Sequence, residues 1–154
     1  MIKGSINQEN ITLVNIYASN IGAPTCIKQL LTDIKREINS NILIVRDFNT
    51  PLTSMGRSSR QRINKETMGL KDTLNQMDLI DIFTSFYPKA AKYTFFSSVH
   101  GTFSRIDHML GHKPSLNRFK KIVIILIISD HNDKKLDIKY KKKRWKIHKH
   151  MEAK

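Results

Sequence analysis

The chain has 154 residues, 40% of them hydrophobic and 26% charged, the composition of one globular domain rather than of a disordered segment. Lys plus Arg number 27 against 13 for Asp plus Glu, a formal charge of +14 that favours a polyanion as partner, most often nucleic acid. The lone Cys26 excludes an internal disulfide framework and a cysteine zinc site.

The first ten residues hold no apolar core of the length a secretion signal needs. The longest apolar run, residues 122–128, is far short of the ~20 residues that span a bilayer. A soluble, intracellular protein of nucleus or cytoplasm is expected, without membrane contact.

Residues 2–6 and 11–17 read as two extended segments around a polar turn at 7–10, because Ile11, Leu13 and Asn15 alternate with Thr12, Val14 and Ile16. After Gly22, Ala23 and Pro24, the residues Ile27, Leu30, Leu31, Ile34 and Ile38 fall on one helical face at spacings of three and four. Ile42 to Val45 are too few for a helix and suit a strand buried on both faces. That strand delivers Asp47 and Asn49 to a sheet edge, and Pro51 forces the next residues into a loop. A carboxylate and an amide there are candidates for catalysis, although an isolated DFN more often forms an Asx-type turn.

The polar stretch 50–65 carries Arg57, Arg60 and Arg62 among serines, a loop that either touches phosphates or is merely solvated. Asn64 caps an expected helix bearing Met68, Leu70, Leu74 and Met77 on its core side. Residues 79–83 form a short apolar run, and 93–96 are strand-like. Residues 97–101 read as a hairpin loop leading into a single strand over 103–110. In that strand Asp107 is a carboxylate that needs a partner if buried, and His108, on the opposite face, takes a structural role. Lys113 and Pro114 mark a turn. The apolar strand 122–128 ends in Ser129, Asp130 and His131, and Leu136, Ile138 and Tyr140 alternate in a last strand before a basic tail. The expected division is a domain over 1–140 and a tail over 141–154, and no repeat is found.

Taken together, DFN at 47–49, SRID at 104–107, SDH at 129–131, NIYASN at 15–20 and YTFFS at 93–97 resemble the endonuclease/exonuclease/phosphatase superfamily. Within it the likeness is to LINE retrotransposon endonucleases, which are similar to apurinic-site repair nucleases. It runs from Met1 to about Leu136.

The resemblance implies an α/β (α+β) fold, a partial four-layer sandwich of the DNase I type with its cleft at the strand ends. It implies Mg²⁺-dependent nicking of DNA, with Mn²⁺ able to substitute. Carried onto matching positions, Asp47 activates the water and Asn49 helps hold it, while Tyr17 contacts the scissile phosphate. His131 stabilises the charged phosphate, its tautomer kept by Asp107, and Asp130 lies near the metal. Thr94 and Ser104 match positions that touch the DNA backbone, and the loop containing Ser98 and His100 matches a hairpin that enters the minor groove.

Relative to the family pattern, the strands bearing an Asn and the principal metal-binding Glu fall upstream of Met1, and Arg46 stands where the family has Gly. Glu9, in the expected turn, is a poor substitute. An N-terminally truncated, impaired or inactive endonuclease is therefore expected, with self-association through the exposed edge. The alternative is a non-catalytic basic remnant that binds nucleic acid by charge; a superfamily phosphatase is a poorer third reading.

Overall fold

The computed structural model describes residues 1–6, 9–59, 62–125 and 133–138. Alternation in the first residues has its expected result: β1 (Ile2–Ile6) pairs antiparallel with β2 (Glu9–Asn15), with Ile2 opposite Leu13 and Ile6 opposite Glu9. Glu9 thus opens a strand instead of sitting in a turn, and its carboxylate pairs with Arg118 at 2.6 Å.

Helix α1 (Ala23–Asp33) starts at Gly22, whose φ of 68° is a left-handed conformation open to glycine, and has Pro24 in its first turn. It is shorter than the apolar spacing suggests, since residues 35–37 tighten into a 3₁₀ turn. Leu30, Ile34 and Ile38 still pack against the core that Ile27 and Leu31 enter fully. The chain returns in β3 (Ile42–Asp47), parallel to β2, with Leu13 opposite Leu43 and Asn15 opposite Val45.

Asn64 caps α2 (Lys65–Gln76), its side chain accepting from the Thr67 amide at 2.8 Å. Leu70 and Leu74 are buried as expected, but Met68 faces solvent and Thr67 and Thr73 take the inward positions. The apolar run after it divides into β4 (Leu79–Asp81) and α3 (Ile82–Phe86), because the Asp81 carboxylate accepts from the Phe83 amide and starts a helix.

The expected single strand over 103–110 is two. A hairpin of β5 (Phe95–Ser97) and β6 (Thr102–Ser104) is followed by a break at Arg105 and Ile106, and then by β7 (Asp107–His112). The break follows Arg105, whose amide bonds Gly56 O at 2.7 Å while its guanidinium turns inward. The turn at Lys113 and Pro114 is a 3₁₀ stretch, and β8 (Phe119–Ile125) starts three residues before the expected position and pairs with β9 (Asp133–Ile138). The end of the expected 122–128 strand, Tyr140 and the tail lie outside the described residues.

Five strands form one sheet in the order β1-β2-β3-β7-β4, while β5-β6 and β8-β9 form two-stranded sheets. On one face of the large sheet, α1 and α2 bury Val14, Ile16, Ile42, Ile44 and Leu110. On the other, Leu43, Ile82, Phe83, Phe119 and Ile122 join Leu13, Met109, Ile124, Leu136 and Ile138 between the large sheet and β8-β9. Helices, large sheet and small sheet are thus three layers of a sandwich. Gly111 makes the close approach possible, since a Cβ there would meet the Phe119 ring at 3.0 Å.

Candidate active site

Strand parity brings the two key carboxylates together. In β3, Ile42 and Ile44 face the helices and Leu43 faces the small sheet, so Asp47, four residues on from Leu43, shares its side. In β7, Leu110 faces the helices and Met109 the small sheet, and Asp107 goes with Met109. Asp47 and Asp107 are direct cross-strand partners, so two partly buried carboxylates stand side by side at one end of the sheet. Like charges so placed repel and call for positive charge nearby.

The loop after β3 is locked. Asp47 Oδ1 accepts from the Asn49 amide at 2.7 Å, an Asx turn, with Asn49 at φ 48°. The Asn49 side-chain amide donates to Ala18 O, and the Ala18 amide donates to Asp47 O at 3.2 Å. Phe48, fully buried between the two polar residues, anchors the turn and donates its amide to Ile106 O at 2.8 Å. The Asx turn and the position at the sheet end are therefore compatible. The same bonds fix the loop after β2, on which Tyr17 is 68% exposed. Tyr17, Asp47, Asn49 and Asp107 are brought to the same end of the sheet.

Thr94, expected against a DNA backbone, is instead fully buried, and its hydroxyl accepts from the Ile106 and Asp107 amides at 3.1 and 3.2 Å. It fixes the start of β7 from behind. Ser104 is partly exposed on β6, where its carbonyl accepts from Thr94 and its backbone bridges to Arg57. Ser98 and His100 are exposed in the turn between β5 and β6, and Gly101 closes that turn at φ 60°. Tyr93 and Phe96 both stack on or tilt against Phe103, with centroids 5.8 and 4.7 Å away, stiffening the hairpin. Arg57 is partly exposed beside it. Arg60, Asp130 and His131 lie outside the described residues.

Sequence reasoning missed the buried charges beneath the site. Asp81 Oδ2 lies 3.0 Å from His108 Nδ1, and His108 Nε2 lies 2.9 Å from Thr50 O, both residues being buried. The ring thus bridges the Asp81 carboxylate and the Thr50 carbonyl, one through each nitrogen. Burial alone would raise the Asp81 pKa. The His108 hydrogen bond and charge outweigh it, with Lys134 and Arg105 adding, and hold the carboxyl well below its ordinary range. His108 thus has the structural role expected of it. An acid within the apolar run 79–83 was the available signal, since such a group requires a partner.

Arg105, 2% exposed, donates to Lys92 O at 3.1 Å and Thr84 Oγ1 at 3.3 Å and lies over the Phe83 ring at 4.8 Å. Burial lowers its pKa, against the opposing effect of Asp81. Lys134 Nζ donates to Asp107 O at 2.6 Å and lies 5.5 Å from the Phe83 ring centroid.

The arrangement was compared with known proteins. No family model matches the sequence. An apurinic-site endonuclease from Archaeoglobus fulgidus superposes with a TM-score of 0.71 at 14% identity, over 84% of this chain and 62% of that one. The endonuclease domain of TRAS1, a telomere-specific non-LTR retrotransposon, superposes at 0.72 with 19% identity, over 91% and 63%. The chain has the fold of the apurinic-site and retrotransposon endonucleases. A 3' phosphatase from Neisseria, solved with a product DNA hairpin, shares this DNase I-like fold at a TM-score of 0.69 and 16% identity, over 84% and 62%. The chain spans somewhat less than two thirds of the length of these endonuclease-fold neighbours.

The resemblance read from the sequence implies a divalent metal. Asp47 and Asp107 offer the oxygen donors a hard cation takes, but no three His, Cys, Asp or Glu side chains converge as a metal site among the described residues. These residues alone do not fit a complete ligand set. Among the described residues no helix is long and apolar enough to cross a membrane.

Proposed function

We propose that this chain is a LINE-type DNA endonuclease domain that hydrolyses a phosphodiester and nicks target DNA. The observation that carries the reading is the pairing of Asp47 with Asp107 at the sheet end, on an endonuclease fold, with Asn49 bonded to the Tyr17 loop. In this reading Asp47 takes the proton from the attacking water, since a carboxylate is the base the described site offers. Asn49, held in its turn, orients that water, and Tyr17 donates to the phosphate from its exposed loop. Asp107 orients His131, whose charge stabilises the phosphate oxygens as they gain negative charge.

Mg²⁺, or Mn²⁺ in its place, is the cofactor of this reading, with Asp130 as its nearest ligand. Arg57, Arg60, Ser98, Ser104 and His100 line the path of the DNA, and Thr94 serves by holding Asp107.

The +14 charge supports a second reading, a basic module that binds nucleic acid without cutting it. A supercoiled-plasmid assay separates the two. Nicking should require Mg²⁺, stop with chelator, and fall about 100-fold or more in Asp47→Asn, while DNA binding survives. Binding without any nicking selects the second reading, and equal nicking by Asp47→Asn removes Asp47 from the site.

A further inference from the structure

Strand β9 pairs with β8 so that Ile122 is opposite Leu136 and Ile124 opposite Lys134, and cross-strand partners share a face. Ile122, Ile124 and Leu136 pack against the large sheet. Lys134 therefore occupies an inward position where its neighbours are apolar. A lysine there sacrifices hydration of its ammonium, and it recovers part through one specific bond, from Nζ to Asp107 O at 2.6 Å.

That carbonyl belongs to the first residue of β7, and the amide of the same residue donates to the buried Thr94 hydroxyl at 3.2 Å. Asp107 is held on both sides of its own backbone, from the β5 side and from the small sheet. Its carboxylate stands opposite Asp47, so a positive charge beside it offsets the repulsion of the pair.

We propose that Lys134 is a positioning residue: its ammonium reaches across the sandwich, fixes the Asp107 carbonyl and offsets the charge of the Asp47 and Asp107 pair. It touches neither water nor phosphate. Its role in nicking rests on the endonuclease reading; the tether itself does not.

Among the described residues, the groups facing Lys134 are Asp107 on β7, Asp81 on β4, with His108 paired behind it, Arg105 between β6 and β7, and the Phe83 ring on α3. Burial, with the Arg105 charge, outweighs the two carboxylates and pushes the Lys134 amine down to about 8. Above that pH the amine is neutral, and both the charge-assisted bond and the charge offset weaken.

Carbon-detected NMR of the chain provides a readout independent of activity. The Lys134 Cε and Asp107 carbonyl shifts should titrate together with a midpoint near 8, and the Asp107 response should vanish in Lys134→Met. An Asp107 carbonyl that is flat with pH, or that titrates unchanged in Lys134→Met, overturns the proposal whether or not the chain nicks DNA.

Nicking by the unaltered chain should fall about tenfold as pH rises through that midpoint. Lys134→Arg should keep nicking without the alkaline fall, and Lys134→Met should be low at every pH while melting no earlier. Lys134→Met that nicks with the unaltered rate and pH profile also overturns it. A chain that never nicks sinks the endonuclease reading alone, because the carbonyl titration still decides the tether.

Discussion

At the scale of single residues, Asp81 and His108 are a buried pair among the described residues. Each ring nitrogen of His108 has an acceptor, and the Asp81 carboxylate also takes the Phe83 amide and the Thr84 hydroxyl. Removing one partner leaves the other buried without its bond, so Asp81→Ala or His108→Ala should each cost about 3–5 kcal/mol in urea unfolding. The double variant should cost less than the sum of the singles.

The pH dependence has a definite sign. Folding depresses Asp81 below its ordinary 3.8, so its stabilisation is complete above that value and declines as pH falls below it. Acid unfolding should begin there, and Asp81→Ala should flatten that limb. For Lys134 the sign is opposite to that of a stabilising cation. A base lowered from 10.5 to about 8 binds its proton more tightly when unfolded, so stability rises with pH between those values. Lys134→Met should therefore gain about 1 kcal/mol or more at pH 7, measured by thermal melting.

At the scale of elements, α2 illustrates how far pattern reading goes. Asn64 caps the helix through one bond to the Thr67 amide, and Asn64→Ala should cost about 1 kcal/mol. Leu70→Ala, at a fully buried position, should cost about 2–5 kcal/mol, while Met68→Gln, on the exposed side, should change little. Urea titrations of the three variants test this order, and a large loss in Met68→Gln would mean that this side of α2 is covered. The sequence read from 103 to 110 as one strand because its residues alternate. Its division into β6 and β7 depends on Arg105 finding Phe83, Thr84, Lys92 and Gly56, all distant in sequence or on other elements.

At the scale of the whole molecule, charge governs the first encounter with a partner. A chain with 27 basic against 13 acidic residues should bind duplex and single-stranded DNA, with log affinity falling linearly as log salt rises. Each phosphate neutralised on a duplex adds about 0.9 to that slope. Fluorescence anisotropy at several salt concentrations measures it, and salt-independent binding would argue against an electrostatic footprint. Variants at Asp47 should leave the slope intact, since the carboxylate is one charge among forty.

What the sequence determined by itself was the local and periodic part. Apolar runs and alternation located β1, β2, β3 and the hairpin, spacing and caps located α1 and α2, and the motifs at 47–49 and 104–107 resembled an endonuclease whose fold the chain has. These features need only neighbours within a few residues. The tertiary structure alone decided which strands adjoin, and hence that Asp47 lies opposite Asp107. It also decided that Thr94 serves Asp107 from the interior, that Asp81 and Arg105 are buried charges and that Lys134 is a partly buried one, because a charge inside the protein is stable only where distant segments supply its partners.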